Sequence, residues 1–141
     1  GGGGACAAGA DGCRRQGADT GGVVSRRSTA DGADAISLVR VLYDHADDTV
    51  AALLAKVFAA LPPGGRVIVA EPMSGGERPE RAGDAYFAFY CMAMRTGRVR
   101  SAAEIGALLA QAGFVGVTPA QTHRPFVASA VTALRPPAGP I

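Results

Sequence analysis

The amino-acid sequence predicts an α/β fold, the C-terminal half of a doubly wound (Rossmann-like) sheet whose last strand is reversed and antiparallel. Three observations lead there. Ala35 to Glu71 reads as apolar run, helical repeat, apolar run, which is one βαβ unit with parallel strands and a right-handed crossover. Two further apolar runs close the chain with about eight residues between them, too few for a parallel crossover, so that pair is antiparallel. The total of 141 residues allows one domain with a real core and leaves no room for a second.

Each element has its own signal. Ala35 to Leu42 (AISLVRVL) is nearly continuous, apolar and rich in β-branched residues, the pattern of a strand buried on both faces. Asp47 and Asp48 supply a cap and first-turn negative charge to a helix in which Val50, Leu53, Leu54, Val57, Phe58 and Leu61 recur at helical spacing. Pro62-Pro63-Gly64-Gly65 stops it. Arg66 to Glu71 (RVIVAE) is the second buried-type strand, and Pro72 to Ala82 is a loop rich in Gly and Pro. Asp84 to Arg95 (DAYFAFYCMAMR) is a helix apolar almost all round, and Ser101 with Glu104 forms a capping box that opens another, ended by Gly113. Phe114 to Thr118 and Val127 to Leu134 are the closing strands, with Pro119 and Pro125 between them.

The start of the chain is different. Gly1 to Gly32 holds ten of the twenty glycines and four arginines, with Val23 and Val24 its only branched aliphatics. No period of 2 or 3.6 survives there, so residues 1–33 read as a disordered, low-complexity segment or as GC-rich sequence outside its natural frame. Residues 34–135 are the folded domain, and 136–141 a frayed tail.

Composition excludes several classes. Hydrophobic residues at 48% and charged ones at 18% are globular, and no apolar run is long enough to span a membrane. A net charge of +2, concentrated nowhere, argues against a nucleic-acid partner. Cys6, Cys13 and Cys91 cannot form a paired framework, and no Cys/His spacing points to a metal. A reducing cytoplasm is the expected setting.

The stretch ADAISLVRVLYDHADDTVAALLAKVFAALPPGGRVIVAEPM, continued by GDAYFAFYCMAMRTGRVRSAAEIGALLAQAGF, resembles the C-terminal half of the S-adenosylmethionine-dependent small-molecule O-methyltransferases. The YDH, EPMSGG and GDAYFAFY details resemble the bacterial carotenoid branch of that family, the demethylspheroidene (hydroxyneurosporene) O-methyltransferases. The likeness runs from Asp34 to Arg135 and makes this stretch a partial methyltransferase domain. That family's fold also ends on a reversed strand. The resemblance implies methyl transfer from S-adenosyl-L-methionine to a hydroxyl of an acyclic carotenoid in the spheroidene pathway. It further implies an apolar hydroxylated substrate, homodimeric full-length relatives, and a place in the cytoplasm or peripheral to the membranes that hold carotenoid.

Such a reaction is an in-line displacement at an activated sulfonium, so the protein has to position the hydroxyl and accept or relay its proton. The family's acceptor is a His in a strand-end L-H-D-W motif flanked by two Glu. Here the His position is Tyr43, Asp44 is kept and the Trp position is His45. The first Glu matches Glu71; the second falls at Val99 and is absent. Tyrosine, with a reference pKa of about 10, is a poor resting base at neutral pH. For a tertiary alcohol, proton loss late in the transfer, to Tyr43, His45 or water, fits better than prior deprotonation. The resemblance thus makes Tyr43, Asp44, His45 and Glu71 catalytic candidates, and Val39 and Arg40 candidates for the cofactor. Met73, Phe87, Tyr90 and Met94 are the candidates for lining a long apolar pocket suited to a polyene.

The residues themselves leave plainer readings open. Tyr43, Asp44 and His45 could end a strand and begin a helix, with Asp44 capping and His45 solvated. Glu71 could be a strand end meeting solvent. Tyr86, Phe87, Phe89, Tyr90, Met92 and Met94 could be a core-facing helix stripe. Arg98 and Arg100 read as a solvated loop.

A doubly wound methyltransferase holds its cofactor at the first strand and turn, through a Gly-rich backbone and an acidic residue. Gly1 to Gly4 has no strand before it and no periodic helix after it. Three strand–helix units of about 30 residues each would have to precede Ala35, which is more chain than lies there. The expectation is therefore a fragment or an N-terminally disrupted product. Its alternatives are an inactive fragment that binds no cofactor, or a methyltransferase of another small hydroxylated metabolite.

Overall fold

The computed structural model describes residues 33–79, 81–120, 122–124 and 127–139. The expected disorder of residues 1–32, the loop residue Pro125 and the last two residues of the tail lie outside them. Four strands form one sheet in the order β1-β2-β4-β3: β1 Ala35–Val39, β2 Arg66–Glu71, β3 Val115–Ala120 and β4 Ser129–Leu134. The helices are α1 Asp47–Ala60, α2 Ala88–Met94, which continues a π-helical segment Arg81–Phe87, and α3 Ala102–Gln111.

β1 and β2 are parallel, in register from Ala35 opposite Arg66 to Val39 opposite Ala70, as the βαβ reading requires. β4 runs antiparallel to both β2 and β3 and lies between them, so it is the reversed strand. Alternation along β2 and β4 turns Val67, Val69, Val131 and Ala133 to one face of the sheet. There they meet Val50, Leu53, Leu54 and Val57 of α1 and Ile105 and Leu109 of α3 in a single cluster. Burial of each such branched side chain stabilises the fold by about 1.5–3 kcal/mol.

Several expectations are corrected. β1 ends at Val39, not Leu42, because Arg40 adopts a left-handed backbone (φ 55°) that no extended strand continues. Nor is β1 buried on both faces: of its five residues only Leu38 is buried, since β2 covers one edge of it and no other described strand covers the second. Leu42–Asp44 is a 3-10 turn, with Leu42 and Tyr43 buried. The N-cap of α1 is Ala46, which offers no side chain, so Asp47 and Asp48 serve the first turn without capping it. Pro119 lies within β3 rather than after it, which an edge strand tolerates because its outer N–H groups need no ladder partner.

The capping box of α3 is formed as read. Glu104 N–H donates to the Ser101 hydroxyl at 3.2 Å, and Ser101 N–H donates to the Glu104 carboxylate at 2.7 Å. The aromatic helix departs further from its reading. It begins earlier, at Arg81, with a π-helical segment, and between Arg81 and Met94 only Gly83 and Cys91 are buried. Tyr86 is 70% exposed, Phe89 69% and Met92 71%, so the core-facing stripe is uncovered among the described residues. Among those residues no helix is long and apolar enough to cross a membrane.

Candidate functional site

Parallel strands carry their C-terminal ends to the same side of a sheet, and open α/β sheets bind ligands there. In this molecule that side holds Val39 and Arg40, where β1 stops, and Glu71, where β2 stops. The segment from Arg40 to Asp47 crosses the gap between β1 and α1. Its backbone is held by polar side chains from three distant parts of the chain.

Glu71 reaches it from β2. One carboxylate oxygen accepts the N–H of Leu42 at 2.9 Å and of Tyr43 at 3.4 Å. Glu71 is fully buried, and its other oxygen, Oε1, has no hydrogen-bond partner among the described residues. Burial pushes the carboxyl up to about 7, while the two backbone donors oppose that rise.

Arg100 reaches it from the opposite side, and its guanidinium uses all five N–H donors. Nε and Nη2 donate to Asp47 Oδ1 at 2.9 and 2.6 Å. Nη1 donates to the carbonyls of Leu42 at 2.8 Å and Arg98 at 3.3 Å, and Nη2 to the carbonyl of His45 at 2.9 Å. Its own carbonyl accepts Ser74 N–H at 3.0 Å, which ties it to the exit of β2. Arg100 is fully buried, so the solvated loop expected for it is wrong. A buried guanidinium is tolerated only when paired and bonded, and this one is. Arg98 does stay exposed, bridging Asp47 at 3.2 Å and Glu104 at 2.8 Å. The hydrogen bonds from Arg100, then those from Arg98, hold the Asp47 carboxyl below its ordinary value.

Two smaller contacts complete the frame. Cys91 Sγ donates to the Tyr43 carbonyl at 3.4 Å, and burial pushes that thiol up. Gly97 passes so close that a Cβ there would overlap the Tyr43 carbonyl oxygen and lie 2.7 Å from the His45 nitrogen.

The Tyr43 ring sits in an aromatic group. Phe87 and Tyr90 each stand 5.9 Å from it, centroid to centroid. Arg40 donates from Nη2 to the Tyr43 hydroxyl at 3.2 Å, and its guanidinium carbon lies 5.4 Å from the Phe87 ring and 5.8 Å from that of Tyr43. The negative charge of Asp44, first among the causes, pushes the Tyr90 phenol up.

The structure therefore brings Tyr43, Arg40, Phe87 and Tyr90 together, with Glu71 behind the Tyr43 backbone. The Glu71 carboxylate oxygen that has partners binds the backbone N–H groups of Leu42 and Tyr43 rather than the side chains of the other catalytic candidates. Asp44 and His45 are half-buried. Val39 is exposed at the end of β1. Met73 belongs to the hydrophobic core cluster, and Met94 is exposed at the end of α2. A cleft of about 410 Å³, lined in part by Ser74, Gly83, Cys91, Met92 and Val99, has none of the candidate residues in its wall. Sequence reasoning missed Arg100, Gly97 and Cys91. Their partners are carbonyls roughly 50 residues away, and nothing in local spacing announces such a contact.

An O-methyltransferase domain family matches residues 14–115, beginning ahead of the expected boundary at Asp34. The chain is 65% identical over 109 residues to the demethylspheroidene O-methyltransferase of Cereibacter sphaeroides, covering 77% of this chain and 29% of that protein. It is 60% identical over 104 residues to the demethylspheroidene O-methyltransferase of Rhodobacter capsulatus, covering 74% of this chain and 26% of that one. Among solved structures, human N-acetylserotonin methyltransferase in complex with S-adenosylmethionine superposes with a TM-score of 0.73 at 25% identity, over 83% of this chain and 33% of that one. The chain thus spans less than a third of the length of the curated relatives it matches.

Proposed function

The chain belongs to the O-methyltransferase domain family, and from that premise we propose that it forms the acceptor side of an enzyme transferring a methyl group from S-adenosyl-L-methionine to a hydroxyl of an acyclic carotenoid. The observation that supports this most is the 65% identity to a demethylspheroidene O-methyltransferase. In this reading residues 34–135 are the partial catalytic domain. It also carries homodimerisation and a peripheral place at carotenoid-bearing membranes, which crosslinking and vesicle flotation test.

The donor, when bound, supplies a methyl group already activated by a sulfonium. An exposed apolar Val39 beside the Arg40 cation, at the ligand end of the sheet, fits one edge of such a molecule, and these two would hold it. Among the described residues these two make one wall of such a site. The chain's own part in the reaction is positional. The hydrogen bond from Arg40 fixes which way the Tyr43 hydroxyl faces and leaves it a lone pair to accept from the acceptor alcohol and its own O–H to donate onward. As the methyl–oxygen bond forms, the alcohol proton passes to His45 or water, directly or through Tyr43, which gives up its own phenolic proton as it takes the alcohol's. Phe87 and Tyr90 give the polyene an apolar wall.

The test is transfer of labelled methyl from S-adenosylmethionine to a hydroxylated acyclic carotenoid, with calorimetric titration of the chain by S-adenosylhomocysteine. Label in the carotenoid and saturable binding are expected. A folded chain that gives neither overturns the reading. Tyr43→Phe should slow transfer by about 10²-fold, the lower end of a general acid–base contribution. If Tyr43→Phe and His45→Ala both leave the rate unchanged, the relay is wrong.

A further inference from the structure

We infer that Arg100 is a positioning residue for the acceptor site, acting through the backbone of Leu42–Asp47 on the place where Tyr43 sits; the inference rests on the reading above for its catalytic consequence, but not for its structural one.

Four observations carry it. First, Arg100 is fully buried, and two of its five donors reach backbone carbonyls on either side of Tyr43, those of Leu42 and His45. Second, its other main partner, Asp47, is the first residue of α1, so the guanidinium joins the turn and the helix start as one unit. Third, the opposite side of the same turn is held by Glu71, which accepts the N–H groups of Leu42 and Tyr43. Donors of one segment meet the buried Glu71 carboxyl and its acceptors meet a cation, so the turn is held from two sides, with charge-assisted bonds on the Arg100 side. Fourth, Gly97, three residues before Arg100, lies so closely against Tyr43, Asp44 and His45 of the same turn that it admits no side chain.

A turn held only by its own 3-10 bonds has two to rely on, Asp44 N–H to Val41 at 3.3 Å and His45 N–H to Leu42 at 3.1 Å. That is weak for a segment that has to place a hydroxyl within a few tenths of an ångström of a reacting atom. The guanidinium supplies what the local bonds lack. Lysine cannot replace it, because a single ammonium cannot span the Leu42 and His45 carbonyls and Asp47 in the same plane.

The experiment is amide hydrogen exchange by NMR on the full chain, comparing the wild type with Arg100→Lys. The quantity read is the exchange rate of the Leu42 and Tyr43 amides divided by that of the Val67 and Val69 amides of β2. General destabilisation speeds the β2 amides at least as much as those of the turn, so it does not raise the ratio. A rise in the ratio of tenfold or more is expected. An unchanged ratio overturns the inference. If Arg100→Lys does not fold, Asp47→Asn carries the same test. It weakens the hold on the guanidinium from the exposed side, and a rise of about threefold is expected there. Methyl transfer is measured in parallel: kcat should fall tenfold or more with KM for the donor within about twofold. A wild type that transfers no methyl group overturns the proposed function, while the exchange ratio still decides the role of Arg100.

Discussion

The Leu42–Asp47 turn and the Arg81–Met94 helix both border the candidate site, and they are built on opposite plans. The turn is short, polar in its bonding and buried at Leu42 and Tyr43, held by Glu71 from β2 and Arg100 from the segment before α3. The helix is long, aromatic and exposed, and its best-defined attachments are Cys91 under the Tyr43 carbonyl and the Phe87 and Tyr90 rings against Tyr43. The contrast teaches where rigidity comes from. An apolar sequence does not by itself produce a buried element, and a segment rich in polar bonds can be enclosed, as at Leu42 and Tyr43, when buried partners meet its backbone groups.

The strongest way to break that comparison is to push the turn out of place. Gly97→Ala puts a Cβ onto the Tyr43 carbonyl, at a backbone conformation (φ 72°) that already disfavours a side chain. The expected loss is about 4 kcal/mol or more, the range reached when backbone must move. Gly64→Ala is the matched control. Its φ is also positive, at 81°, but nothing lies within 4 Å, so only the left-handed penalty of about 1 kcal/mol remains. Urea unfolding of the two variants measures the difference, and equal losses would mean that the turn yields freely.

A subtler test titrates the clamp. The Glu71 carboxyl stands at about 7, above an ordinary 4.5. An acid whose value is raised on folding contributes stability that is fully present below pH 4.5 and is lost as pH rises through 7. The wild type should therefore lose up to about 3 kcal/mol over that window, one pKa unit being worth about 1.4 kcal/mol. Glu71→Gln keeps a carbonyl acceptor for the Leu42 N–H and removes the titration. Unfolding free energies taken every half pH unit should slope for the wild type and be flatter for the variant. Parallel curves would show that the buried Oε1 has a partner that relieves its burial.

The same contrast explains what the sequence made legible. β2, α1 and the α3 capping box were readable because their signals are local: a short apolar run, helical spacing, and a Ser–Glu pair three residues apart. The antiparallel closing pair followed from connection length alone. The site was legible only as far as its motif, Tyr43 to His45 with Glu71. What holds that motif was not, because Arg100 to Leu42 is a contact across 58 positions and Cys91 to Tyr43 one across 48. The end of β1 was overrun by three residues since VRVL continues the β-branched pattern, and only the left-handed Arg40 interrupts it.

The aromatic helix supplies the smallest expected effect. Phe89→Ser and Met92→Ser remove large apolar groups that are 69% and 71% exposed, so little surface is re-exposed by either change. Substitutions at such positions usually stay within about 0.5 kcal/mol. Leu54→Ala, at a fully buried position of α1, should cost about 2–5 kcal/mol in the same assay. The comparison between the two regions depends on that gap. If Phe89→Ser cost as much as Leu54→Ala, the helix face would be covered in solution by something absent from the described residues, and it would then be as enclosed as the turn. If it costs almost nothing while altering carotenoid binding, the exposed face is surface kept for a ligand rather than for the fold, since the loss falls on affinity and spares stability.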